Sequence, residues 1–370
     1  MFAKINEKMT STNDSFLVRF ENKDMPRDPP PTKIVEAFGL RKCPKLVSQI
    51  CASDLDIRIN ALAVLCDEFK NPYSIEGCVR EGVITVLAAM ITDPDYTTRV
   101  RATAALHLAA LDANGFSAIL KYQGEVFPKL VEGVSDPSEV VRENVYKCVL
   151  ASTRSAEGVD ACVTNNVTRA FVEVLGAELD FLQPILLKTL HNIVGSENGL
   201  LEALDAKAVD ALIKLLEPLK VNSPQTSTVI AEACRTLGYL CYDGRAKKEA
   251  LALGAVEKLV EILAIKTISQ NLKVCATIAL MAITITNEGK IKVYDCGGLD
   301  AVMPLLYDDS ALVVVNTLKI ISNLAVYPKN REVFISDSTC TVKIRKLTKS
   351  EDPLIAKHAG LTLTAVNWTP

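Results

Sequence analysis

DPDYTTRVRATAALHLA, residues 93–109, is followed 43 residues later by DPSEVVRENVYKCVLA, residues 136–151, with the Asp-Pro, the Arg and the apolar positions in matching places. A chain that writes one pattern twice at a fixed distance is read for repeats before anything else. The apolar residue near the middle of each such segment serves as an anchor. The anchors are Leu65, Leu106, Val149, Leu190, Leu237, Leu280, Ile321 and Leu363, at intervals of 41, 43, 41, 47, 43, 41 and 42. So narrow a band over seven intervals makes the repeat the fold.

Each unit has a recurring interior. A turn with Gly leads into an apolar helix, as in EGVITVLAAM, LGAVEKLVEIL and CGGLDAVMPLL. A break such as SDLD, TDPD, SDPS or YDDS follows, and then a second, longer apolar helix. Residues 207–216, KAVDALIKLL, carry the i, i+3, i+4, i+7 spacing of one buried helical face. Asp-Pro suits the break, because Pro fixes its own φ and disfavours helix in the residue before it. Glycines 297 and 298 are expected to make the turn between repeats. No stretch alternates with period two, so the expectation is all-α. Units of this length made of helices describe a right-handed armadillo/HEAT-type α-solenoid of about eight helical repeats over residues 32–370. One unit cannot cover its own apolar face, and the sequence repeats because that burial problem repeats. Residues 1–31, charged and proline-rich in ENKDMPRDPPPTK, fall outside the period and read as an extended arm, either a mobile tail or a docking strap.

The bulk numbers agree with a folded chain that makes no electrostatic appeal to polyanions. Of 370 residues 49% are hydrophobic and 23% charged, and the net charge is −3, so neither nucleic acid nor an anionic membrane is an expected partner. No 18-residue apolar run and no signal-peptide core are present, which reads as cytosolic. The eleven cysteines include no pair separated by two residues, so neither a zinc site nor a redox pair is written. They read as small buried hydrophobes.

Chemistry is sought and not found. His107, His191 and His358 fall in different repeats, and neither a nucleophile elbow nor a phosphate loop is present. A catalytic site needs converging groups, whereas a solenoid presents side chains in rows. The chain is therefore read as non-enzymatic, without cofactor, metal or small-molecule substrate.

A row is what it has. The slot two residues before each anchor holds Ala63, Ala104, Lys147, Lys188, Arg235, Ile278, Lys319 and Leu361. Four are cations. They are either a basic ladder for an acidic, extended or helical partner segment, or snorkelling side chains on a solvated face. Nuclear-import receptors of the armadillo type carry Trp in that slot and Asn four residues on; this chain keeps Asn only at Asn192 and Asn323, and its one tryptophan is Trp368. Basic cargo is disfavoured. A second recurrence, Arg58, Arg99 and Arg142, is expected to bond the carbonyls or carboxylates of neighbouring breaks near Asp93 and Asp136.

Several segments go beyond generic periodicity. PPTKIVEAFGLRKCPKL (30–46), NALAVLCDEFKNPYSI (60–75), DPSEVVRENVYK (136–147) and ITITNEGKIKVYDCGGLDAVMPLL (283–306) resemble the radial spoke armadillo-repeat proteins of motile cilia and flagella, the radial spoke head 14 homologue family. The C-terminal VNWTP is similar as well. The resemblance implies a structural subunit of the axonemal spoke, partnered by other radial spoke proteins through scaffold, coiled-coil or acidic segments, with no catalytic residues. The level within the spoke stays open. The alternative is a catenin- or importin-like adaptor that binds one mobile peptide at a time.

Overall fold

A computed structural model describes residues 39–369 apart from 219, 220 and 222. The arm expected over 1–31 lies outside the described residues. The described chain is helical throughout with no strand, so the all-α solenoid expectation holds. It divides into two compact units, Met1–Ser152 and Thr153–Pro370, with the boundary between repeats.

The first unit opens with helices Lys42–Ile50 and Leu55–Glu68. Two complete repeats follow, Pro72–Arg80 with Val83–Ala89 and Tyr96–Leu111, then Ala113–Lys121 with Gln123–Gly133 and Glu139–Ser152. The second unit holds five. Ala156–Thr164, Val167–Leu175 and Gln183–Ile193 form its first repeat; Glu197–Asp205, Ala208–Leu215 and Pro224–Leu240 its second. Gly244–Ala252, Ala255–Ala264 and Gln270–Ile283 form the third. In the fourth, Asn287–Asp295 and Gly298–Val302 precede Ala311–Leu324; in the fifth, Pro328–Ser336 and Ser338–Leu347 precede Pro353–Val366.

Each complete repeat therefore has three helices where the sequence pattern gave two. The missed one is the first, nine residues long in all seven cases. It is short and buries only two to four residues: GRAKKEALA buries only Ala246 and Ala250. Its start is nonetheless written. Ser196 Oγ accepts the Gly199 N–H at 3.0 Å, Thr286 Oγ1 the Gly289 N–H at 3.0 Å, and Asp112 the Asn114 and Gly115 N–H groups. These side chains satisfy donors that a helix N-terminus leaves open.

The glycine turn also sits elsewhere than expected. It joins the first helix to the second inside a repeat, in the left-handed conformation at Gly82, Gly254 and Gly297. Glycine has no Cβ to clash there. Two repeats place Asn166 (φ 59°) and Lys207 (φ 62°) in the same turn. Lysine in that conformation is strained, so Lys207→Gly should raise stability by about 0.5–1 kcal/mol, read as a higher urea midpoint.

The long third helices carry the core. Within each unit each one packs on the third helix of the next repeat. Seven anchors, from Leu65 to Ile321, have no exposed surface, whereas Leu363 is half-buried with no later helix among the described residues to cover it. Polar bonds accompany the apolar contact. Asn144 Nδ2 donates to Val100 O and Thr103 Oγ1, both at 3.3 Å, and in the second unit Asn316 Nδ2 donates to Thr277 Oγ1 at 3.1 Å. Such bonds satisfy buried groups and also fix the rotational setting of one helix on the next.

Candidate partner-binding surface

The slot two residues before the anchor faces outward in every repeat, since none of its eight occupants is buried. The cations at Lys147, Lys188, Arg235 and Lys319 differ in how free they are. Lys147, in the first unit, pairs with Glu143 one turn earlier at 2.6 Å. In the second unit, Arg235 lies 3.3 Å from the Glu232 carboxylate and donates to Asn271 Oδ1 at 3.2 Å. Lys188 is exposed, and neither it nor the half-buried Lys319 makes an ion pair among the described residues. None of the four is buried, but two of the four charges are already offset by acids on their own helices.

Asn192 and Asn323 work within the fold. Asn192 Nδ2 donates to Thr153 Oγ1 at 3.1 Å, and Asn323 Nδ2 donates to Met281 O at 3.3 Å and Thr284 Oγ1 at 3.4 Å. The Asn323 amide ties its third helix to the end of the preceding one, and the Asn192 amide ties its helix to Thr153 at the start of the second unit. In the two repeats between them the corresponding residues are Tyr239, which is 40% exposed, and the buried Ala282. Tyr239 and Tyr242 were missed in sequence, because CRTLGYLC reads as an apolar core pattern; the departure from Asn at that slot was the available signal.

The arginine recurrence behaves as expected. Arg99 Nε meets Asp136 of the next repeat at 2.7 Å, while its Nη1 donates to Asp93 O at 3.0 Å and Pro94 O at 3.2 Å. Arg142 Nη1 donates to Asp136 O at 2.8 Å and Pro137 O at 3.3 Å, and Arg58 reaches Asp93 at 3.6 Å. The second unit repeats the device with Lys273 on Asp308 at 2.9 Å. Burial opposes ionisation of Asp308, yet hydrogen bonds from Lys273, the Ser310 backbone and Gln270 hold its carboxyl below the ordinary value. These cations are staples between repeats.

Burial, aided by Arg235, lowers the His191 pKa; its Nδ1 is buried without a hydrogen bond, and its ring stands edge-on to Tyr239 at 4.5 Å. Burial likewise lowers His358, with Lys319 and Lys357 adding to it. All eleven cysteines are free thiols and seven are buried, in keeping with the small-hydrophobe reading. Desolvation pushes Cys148 and Cys241 up to about 12, so these thiols stay protonated and unreactive at neutral pH. Among the described residues no group of three His, Cys, Asp or Glu could hold a metal, and no helix is long and apolar enough to cross a membrane.

Comparison with known proteins agrees with this geometry. No family model matches the chain. A curated protein of Chlamydomonas reinhardtii, Radial spoke protein 14, is 27% identical over 353 residues, covering 92% of this chain and 89% of that protein. The resemblance that the sequence carries is thereby borne out across nearly its whole length. An engineered protein of known structure superposes with a TM-score of 0.77 at 22% identity, covering 89% of this chain and 79% of its own. A designed armadillo repeat protein superposes at 0.58 and 19% identity over 65% of this chain and all of its own. Another, solved in complex with the peptide (KR)4, does so at 0.57 and 20%, again over 65% of this chain and 99% of its own. The fold is the armadillo-type α-solenoid.

Proposed function

We propose that this chain is a non-enzymatic structural subunit of the axonemal radial spoke in cilia or flagella, docking along elongated spoke subunits to support motility. The observation that carries the reading is the similarity to Radial spoke protein 14, which runs through the repeats and is not confined to one motif. An armadillo solenoid suits the role, since its rows of side chains form a large preformed surface and partners of such surfaces change shape little on binding. The expected partners are other spoke proteins, contributing coiled-coil or acidic segments. The test is fractionation: the protein should remain with axonemes after detergent and moderate salt, cofractionate with extracted spokes, and be missing from spokeless flagella. Recovery in the soluble fraction of intact cilia would overturn the reading in favour of a peptide-binding adaptor.

Within the second unit the cations Lys188, Arg235 and Lys319 are the proposed contact row for an acidic segment. Lys147 of the first unit, neutralised by Glu143, is expected to add little. Reversing Lys188 and Lys319 together to Glu should weaken capture of the spoke partner about tenfold, leaving helicity and melting temperature unchanged, because neither side chain is committed within the fold. Unaltered capture would mean that the row is only solvated surface.

A further inference from the structure

In the second unit a cavity of about 450 Å³ opens where the end of helix Pro224–Leu240 meets the start of helix Glu197–Asp205 in the same repeat. Val194 and Leu200 give it an apolar floor, Tyr239 and Tyr242 an aromatic corner, and Glu197 and Asp243 a carboxylate rim. The two tyrosine rings stand edge-to-face with centroids 5.9 Å apart and an interplanar angle of 81°. They are 40% and 64% exposed, unusual for large rings at consecutive turns of a packed repeat. His191 braces Tyr239 from behind, its ring at 78° to the tyrosine. Burial, aided by Arg235, keeps that imidazole neutral near pH 7, so the brace itself adds no charge to the ring.

The neighbouring cations have partners, and Lys247 Nζ donates to Tyr242 O at 3.5 Å. Arg235 is held by Glu232 and Asn271, and Arg245 is shared between Asp205 at 3.8 Å and Asp243 at 3.7 Å. Asp243 also caps its own helix, accepting the Arg245 and Ala246 N–H groups. Glu197 is exposed and makes no ion pair among the described residues. The cavity thus joins two electron-rich ring faces to an unneutralised carboxylate.

We infer that this cavity receives an arginine side chain projected by a partner protein. An arginine matches it on both counts, since its planar guanidinium stacks on aromatic faces and meets a carboxylate through paired N–H donors. An acidic side chain would face Glu197 and Asp243, and an apolar one would cover the rings while leaving the carboxylates unused. The inference rests on the reading of this chain as a protein-binding scaffold and adds a residue to it: the docking segment that lays acids on Lys188 and Lys319 also carries an arginine.

The experiment uses the full chain with labelled Leu and Val methyl groups, titrated with the capped tripeptide acetyl-Gly-Arg-Gly-amide. The Leu200 and Val194 methyl signals should shift and saturate, while the Glu and Phe counterparts of the peptide leave them in place. Tyr242→Ala should weaken the arginine peptide about fivefold. Glu197→Gln should weaken it also, whereas Tyr242→Phe, which keeps the ring, should bind as the parent does. The absence of a saturable shift, an equal response to the Phe peptide, or indifference to Glu197→Gln would overturn the assignment. Failure here leaves axonemal fractionation untouched, so the two readings fall separately.

Discussion

Gly199→Ala is expected to destabilise the second unit by about 2–3 kcal/mol, within the range of overpacked interiors. A methyl at that position would lie 2.1 Å from Ile193 O and 2.7 Å from Ile193 Cγ2. The carbonyl is backbone at the end of the preceding third helix, so relief requires the turn between the helices to move. The slot recurs: a methyl on Gly115 would meet Ala109 O at 2.2 Å and one on Gly289 would meet Ile283 O at 2.5 Å. Ala246 occupies the corresponding place in helix Gly244–Ala252, so a methyl fits where the turn is built for it. The penalty therefore belongs to the turn at Gly199 and not to the slot in general. Gly244→Ala is the control, because nothing lies within 4 Å of the added atom and alanine favours helix. Urea unfolding should show a lower midpoint for Gly199→Ala and an equal or higher one for Gly244→Ala. Equal midpoints for both would sink the close-approach argument.

Arg99→Ala is the second large effect, expected at about 3 kcal/mol. The two side chains are 14% and 7% exposed, so removing the guanidinium takes the paired charge from a largely buried Asp136 carboxylate that still accepts the Ser138 N–H. It also strips Asp93 O and Pro94 O of their donor. Arg99→Lys should recover only part of the loss, because an ammonium cannot reproduce the fork that serves carboxylate and carbonyls together. A double-mutant cycle with Asp136→Asn would isolate the pair. A coupling near zero would show that the ion pair is incidental and the carbonyl bonds carry the effect. By contrast, breaking the exposed Lys70–Asp67 pair, with side chains 71% and 78% accessible, should leave the unfolding midpoint where it was.

What could be read in advance follows from how local each signal is. The anchors were legible because within each unit the third helices bury their centres against one another, which forces an apolar residue at a fixed interval. The arginine staples were legible for a similar reason, a charge recurring beside an Asp-bearing break. The first helix escaped notice because nine residues with two to four buried side chains are too short to establish a period, although Ser196, Thr286 and Asp112 spelled its start. None of the four cations of the slot is buried, and two of them are paired with acids on their own helices. Glu143 four residues before Lys147 and Glu232 three before Arg235 were visible partners on the same helix face. Tyr239 and Tyr242 were hidden by their own composition, since aromatic residues inside an apolar run signify core unless exposure is known.

The side-chain bonds between repeats have a further consequence for how the molecule assembles. Cys43 Sγ reaches Ser74 O across 31 residues, and Thr236 Oγ1 reaches Leu187 O across 49. Links of this span join a module to its sequence neighbour, so loop closure never has to wait for distant chain to arrive. Any interior pair can seed order, and growth then spreads outward in both directions like a zip fastened from its middle. A chain emerging from the ribosome could dock each new module on the one before it, long before the last has been made.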